Sequence, residues 1–118
     1  MKRDMDLVRK ILLEMEKDGF ESHMELEIEG YSAKEINVHL EMMNNAGLID
    51  ARDISSLGGF KFRPIKINWQ GRDFIDAARN DNIWQKAKSF IKKQGVGLSL
   101  DVLIPLLKKY SLEKLGLQ

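Results

Sequence analysis

The sequence holds no cysteine, only two prolines and only two histidines in 118 residues. Without cysteine there is no disulfide framework, no thiol nucleophile and no thiolate zinc site, and the composition suits a reducing cytoplasm. With His23 and His39 as the only imidazoles, a metal site would have to rest on carboxylates. Long apolar runs are missing as well; the stretch Val102-Leu103-Ile104 closes at Pro105. A membrane span needs roughly 20 such residues, so none is expected. The opening Met1-Lys2-Arg3-Asp4-Met5-Asp6 turns acidic where a secretory signal would turn apolar. What remains is a chain that is 43% hydrophobic and 31% charged, suited to one globular domain over residues 1–118. A chain of this length buries about two-thirds of its unfolded surface.

The formal net charge of +1 conceals an asymmetry. Residues 1–59 carry 7 Lys/Arg against 13 Asp/Glu, whereas residues 60–118 carry 12 against 5. Such a split marks either a basic surface for an acidic partner or two halves that neutralise each other within one fold.

Local patterns set out the elements. Leu7, Val8, Ile11, Leu12 and Met15 recur at helical spacing within residues 4–17, with Asp4 and Asp6 in the first turn. Met24, Leu26 and Ile28 alternate with Glu25, Glu27 and Glu29, the pattern of a strand with one acidic face. Ser32 and Glu35 have capping-box spacing ahead of a second helix that stops at Gly47. Residues 48–54 and 60–69 read as a hairpin joined through Ser55-Ser56-Leu57-Gly58-Gly59. Phe60 and Phe62 share one parity while Ile65, Ile67 and Trp69 share the other, which predicts a bulge or an edge kink at Arg63-Pro64. Asn68 is placed to cap a third helix, Asn80-Asp81-Asn82 interrupts it, and Gly95-Val96-Gly97 links to a last helix capped by Ser99 and kinked at Pro105.

Little of this points to catalysis, and no enzyme activity is expected. Glu35 and His39, four apart on one helix, pair locally more readily than they bind a metal. The three strand glutamates face no opposing acid or apolar pocket that would raise a pKa. Gly58-Gly59 lacks the lysine and following helix of a phosphate loop, and Ser55 and Ser56 lack a base at recognisable spacing. No cofactor and no metal are implied.

A nucleic-acid reading draws on Lys61, Arg63 and Lys66, set among Phe60, Phe62 and Pro64. Arg72, Arg79, Lys86 and Lys93 fall at seven-residue intervals and would form one stripe on a continuous helix. Against it, a strand at residues 24–28 paired with the hairpin would set the three glutamates beside Lys61, Arg63 and Lys66 as ordinary cross-strand pairs.

The order helix, strand, helix, hairpin, helices resembles a winged helix. The carrying stretches are residues 42–49 (MMNNAGLI) and 67–74 (INWQGRDF), which resemble the end of a recognition helix and the passage after a wing in bacterial regulators. The opening MKRDMDLVRKIL, with Gly30-Tyr31-Ser32, residues 46–49, 69–79 and 83–88, resembles more narrowly a bacterial and prophage family of unknown function. Between the first helix and Ser32 there is a strand but no room for the usual second helix, so the helix-turn-helix would be abbreviated and standard major-groove docking is put in doubt. With Ile36, Leu40 and Met43 inward, the second helix turns out Lys34, Val38, Glu41, Met42 and Asn45. Of these only Lys34 and Asn45 suit base or phosphate contact.

The expectation is therefore an α+β, winged-helix-like domain over residues 1–69 with a helical extension packed on it over residues 70–118. Its core would contain Leu7, Ile11, Leu12, Met15, Leu26, Ile28, Ile36, Leu40, Leu48, Ile67, Phe74, Ile83 and Trp84. Two functional readings stand. One is a cytoplasmic, duplex-DNA-associated regulator using Lys34, Asn45, Lys61, Arg63, Lys66, Arg72 and Arg79. The other is an adaptor or inhibitor that binds a protein, or a second copy of itself, through an apolar patch at Val38 and Met42.

Overall fold

Asp4 opens the first helix, its carboxylate accepting the N–H of Leu7 at 3.2 Å. In the computed structural model, which describes residues 2–117, helix α1 (Met5–Met15) buries Leu7, Val8, Ile11, Leu12 and Met15 along one stripe. Helix α2 (Ala33–Asn45) begins with the expected reciprocal box: Ser32 Oγ accepts from Glu35 N–H at 3.1 Å, and Glu35 Oε1 accepts from Ser32 N–H at 3.0 Å. It stops ahead of Gly47, whose φ of 79° ends the helical path. Strands β1 (Ile49–Asp53) and β2 (Phe62–Ile67) pair as an antiparallel hairpin, followed by α3 (Trp69–Ala78), α4 (Asp81–Lys93) and α5 (Leu100–Lys114). The fold is α+β, with five helices and one two-stranded sheet among the described residues. No helix among them is long and apolar enough to cross a membrane.

The chain divides into two compact units, one up to Arg72 and one from Asp73 onward, so the boundary falls inside α3. In the first unit, Ile36, Leu40 and Met43 of α2 are buried, as are Leu48 and Ile49 at the start of the hairpin. In the second, Phe74 and Trp84 meet edge to face at 5.9 Å, Asn80 caps α4 by accepting from Ile83 N–H, and Leu103, Leu107 and Tyr110 are the buried face of α5. Ser99 holds the N-cap position of α5 without a side-chain hydrogen bond, and the helix continues through Pro105.

Several expectations are corrected. Residues 24–28 form no strand and pair in no ladder, and Leu26 and Ile28 are only half-buried. The cause lies on the neighbouring edge: the Phe62 N–H is taken by Asn37 Oδ1 at 3.0 Å, and Pro64 has no N–H to give. Trp69 starts α3 rather than ending β2 and is 82% exposed, while Ile67 is half-buried. Asn68 precedes α3, yet its side chain donates to Asp50 Oδ1 at 2.9 Å instead of capping. Glu35 and His39 form no carboxylate–imidazole pair. The Glu35 carboxylate serves the capping box, and buried His39 is committed at both ring nitrogens, accepting from Asp4 N–H at 2.9 Å through Nε2 and donating through Nδ1 to the Glu35 carbonyl at 2.8 Å.

Gly71 is required by close packing. A Cβ there would overlap the Leu48 carbonyl oxygen and lie 2.8 Å from Ile67 Cγ2. Gly71→Ala is expected to destabilise the protein by about 1–3 kcal/mol, as overpacking does. Gly97→Ala, which meets nothing within 4 Å, should be neutral or slightly stabilising in the same urea titration.

Tyr31 supplies a pH signature. Burial, its hydrogen bond to Asp4 Oδ2 at 3.1 Å and the nearby Asp4, Asp6 and Glu35 carboxylates push its hydroxyl up to about 12. A group that holds its proton more tightly when folded contributes fully below its unfolded pKa of about 10, and that contribution is lost as pH rises to about 12. Unfolding measured across this window should show stability falling in the parent and a flatter profile in Tyr31→Phe.

Candidate nucleic-acid interface

Alternation along the hairpin separates two faces. Ile49, Phe62 and Pro64 are buried on one, while Asp50, Arg52 and Lys66 are exposed on the other. The register pairs Asp50 with Lys66 and Ala51 with Pro64, leaving Ile65 as the extra residue of a bulge. The register thus sets the bulge at Ile65, immediately after the Arg63-Pro64 step at which the parity switch falls in the sequence. Its consequence is concrete: strict alternation from Phe62 would bury Lys66, and the bulge turns that lysine to the exposed face beside Asp50.

On this outer face Arg52 stands directly opposite Arg63. Lys61, whose carbonyl accepts from Ile54 N–H at 2.9 Å, continues the row at one end, and Lys66 lies at the other. Lys66 reaches Asp50 at 3.7 Å and Lys61 reaches Glu25 at 3.8 Å, both solvent-exposed pairs that stabilise little. Arg52 makes no ion pair among the described residues. Of the three glutamates expected opposite the cations, Glu25 alone meets one of them. Without a strand at residues 24–28, the expected cross-strand rows do not form.

The tip of the hairpin is pre-organised by its serines. Lys61 N–H donates to Ser55 Oγ at 2.9 Å, Ser55 N–H donates to Asp53 at 2.9 Å, and Gly58 N–H donates to Ser56 Oγ at 3.1 Å. The Ser55 hydroxyl and backbone N–H hold the Asp53 carboxyl below the usual carboxylate range. Leu57 projects fully into solvent at the apex.

The remaining residues singled out in the sequence are dispersed. Lys34 and Asn45 are exposed at opposite ends of α2. Val38 and Met42 are half-buried, so the patch expected there is not an open one. The seven-residue stripe does not exist, because α3 ends at Ala78 and α4 begins at Asp81. Arg72, in the first unit, lies 3.9 Å from Glu16; Arg79, in the second, bonds Asp76 at 2.8 Å. Lys86 sits 4.2 Å over the Tyr110 ring and 3.9 Å from Glu113. Among the described residues, no three His, Asp or Glu side chains converge to hold a metal ion. Sequence reasoning missed Arg52, which a worked-out hairpin register, bulge included, would have set against Arg63.

A family model described as "Hypothetical protein (DUF2513)" matches residues 2–97. The chain belongs to that family. The DUF2513 match ends in the connection between α4 and α5, so α5 lies beyond it. An uncharacterized protein of Haemophilus influenzae is 35% identical over 113 residues, covering 87% of this chain and 89% of that protein. No solved structure matches the chain.

Exposed cations and edge-blocking amides should behave differently on substitution. Asn37→Ala strips the Phe62 N–H of its acceptor and should cost about 1–3 kcal/mol. Lys61→Ala, which removes only an exposed pair, should cost ~1 kcal/mol or less in the same denaturant unfolding.

Proposed function

We propose that this protein is a winged-helix-like, non-enzymatic, nucleic-acid-associated protein that grips the phosphate backbone of duplex DNA with the outer face of its hairpin. The observation that carries the reading is Arg52 directly opposite Arg63, flanked by Lys61 and Lys66. Like charges set across a strand pair disfavour the fold, and a polyanion laid over them would relieve that repulsion. The element order supports a winged-helix comparison, with residues 24–28 standing where that fold has a strand, although one fold hosts many functions.

Contact through the hairpin would be largely indifferent to sequence, because phosphates carry little base information. Helix α2 would add Lys34 and Asn45, with Glu41 opposing them, which is poor equipment for base reading. A regulatory role in the bacterial cytoplasm goes with this reading. The adaptor alternative draws on Val38 and Met42, and their half-burial weakens it.

Fluorescence anisotropy with duplexes of unrelated sequence, across a salt series, tests the proposal. The double variant Arg52→Ala/Lys61→Ala should bind every duplex more weakly by the same factor. Its log-affinity against log-salt slope should fall by about 2, near 0.9 per lost phosphate contact. Equal affinity and slope in variant and parent would remove the hairpin from the interface.

A further inference from the structure

We infer that Leu57 is a wedge: the hairpin tip enters the minor groove of the bound duplex, where the leucine side chain inserts between neighbouring base pairs and bends the DNA. The inference rests on the proposed grip on duplex DNA and adds what the tip of the hairpin does there. At the tip, Ser56 N–H donates to the Gly59 carbonyl at 3.1 Å and Gly59 N–H donates to the Ser56 carbonyl at 2.9 Å, which closes a two-residue loop of Leu57 and Gly58.

Leucine is foreign to such a loop, where Gly, Asn and Asp usually serve the turn. The φ of Leu57 is not positive and its side chain is fully exposed, so neither backbone nor core accounts for it. Lone exposed apolar residues are common, but this one is neither alone nor loose. Ile54 and Phe60, on either side of the loop, are also exposed. Gly58 N–H donates to Ser56 Oγ at 3.1 Å and Lys61 N–H to Ser55 Oγ at 2.9 Å, which fixes the tip. Gly58 and Gly59 carry no side chains, which keeps it narrow. The sole acid between residues 51 and 63 is Asp53, whose carboxylate accepts the Ser55 N–H.

Dimensions select the groove. From the Ser56–Gly59 bridge to the Ile54–Lys61 hydrogen bond is two residues along each side of the hairpin, roughly 7 Å at about 3.3 Å per residue. The minor groove is about 7.5 Å deep and about 6 Å wide. A tip resting on its floor would hold Lys61 level with the phosphates at the rim, with Arg52 and Arg63 next along the hairpin. The major groove, about 12 Å wide, would take in the whole ribbon and leave those cations over base edges. Apolar side chains that enter from the minor groove unstack a base step and bend the duplex, at least cost where the step is already weakened. The Leu57 side chain has no donor or acceptor, so it reads how readily a step opens rather than which bases form it.

The test uses the full chain and two short duplexes of one sequence, one matched and one with a single thymine–thymine mismatch, each carrying a 2-aminopurine at the same step. Binding of the parent should brighten the 2-aminopurine, as unstacking does, and shorten the end-to-end distance read by energy transfer. It should also be about tenfold tighter for the mismatched duplex, where less stacking has to be broken. Leu57→Ala alters only an exposed side chain and should bind both duplexes about equally, without the bend. Its salt slope should match the parent's, because no phosphate contact is lost. Leu57→Met keeps an apolar wedge and should retain the bend and the preference. Parent binding that leaves the duplex straight, or a Leu57→Ala variant that still bends it, would overturn the wedge and leave the grip standing. Absence of binding to any duplex would overturn the grip and the wedge together.

Discussion

Three side chains of α2 accept backbone N–H groups from other parts of the first unit, which is arranged around them. His39 takes the N–H of Asp4 ahead of α1, Asn37 takes that of Phe62 in β2, and Asn44 takes that of Ala51 in β1. At 100° per residue, Asn37 and Asn44 run along one flank of the Ile36, Leu40 and Met43 stripe, with His39 on the other flank. Each bond removes a donor that would otherwise be costly to bury. Together they fix the start of α1 and an outward donor on each strand against one helix. A two-stranded hairpin alone is marginal in water, so this support is part of why it persists.

The same arrangement explains where surface charge is left available. Helix α2 spends its inner face on the core and its flanks on these bonds, leaving Lys34, Glu41 and Asn45 for anything else. The hairpin has the opposite character. Its inner face carries Phe62 and Pro64, and the bulge at Ile65 allows Lys66 to join Arg52 and Lys61 outside. Edge blocking by Asn37 and Pro64 then keeps residues 24–28 from adding a third strand, which leaves a cavity beside Arg63.

The second unit is held by different means. Trp84 and Phe74 supply the large buried rings, and Lys86 is drawn onto Tyr110 rather than standing free. A helix break at residues 79–80, with Asn80 capping α4, separates cations that sequence spacing alone aligned.

What the sequence by itself determined is the local grammar of the chain. The Ser32–Glu35 box, the stop at Gly47, the break at Asn80-Asp81-Asn82 and the parity switch near Pro64 were all legible, because each depends on residues within a turn or two of one another. Amphipathic spacing likewise marked Leu7, Ile11, Ile36, Leu40 and Trp84 as core, and they are buried. Tertiary structure alone decided the rest. Alternation in residues 24–28 promised a strand, but a ladder needs a neighbour with free donors, and none stands there. His39 looked like a partner for the Glu35 side chain until Asp4, 35 residues away, claimed its Nε2. Arg52 carried no signal in its own segment, since its meaning comes from the strand laid opposite it. Which groups meet across the chain depends on non-local register and burial, and no window of sequence contains both partners.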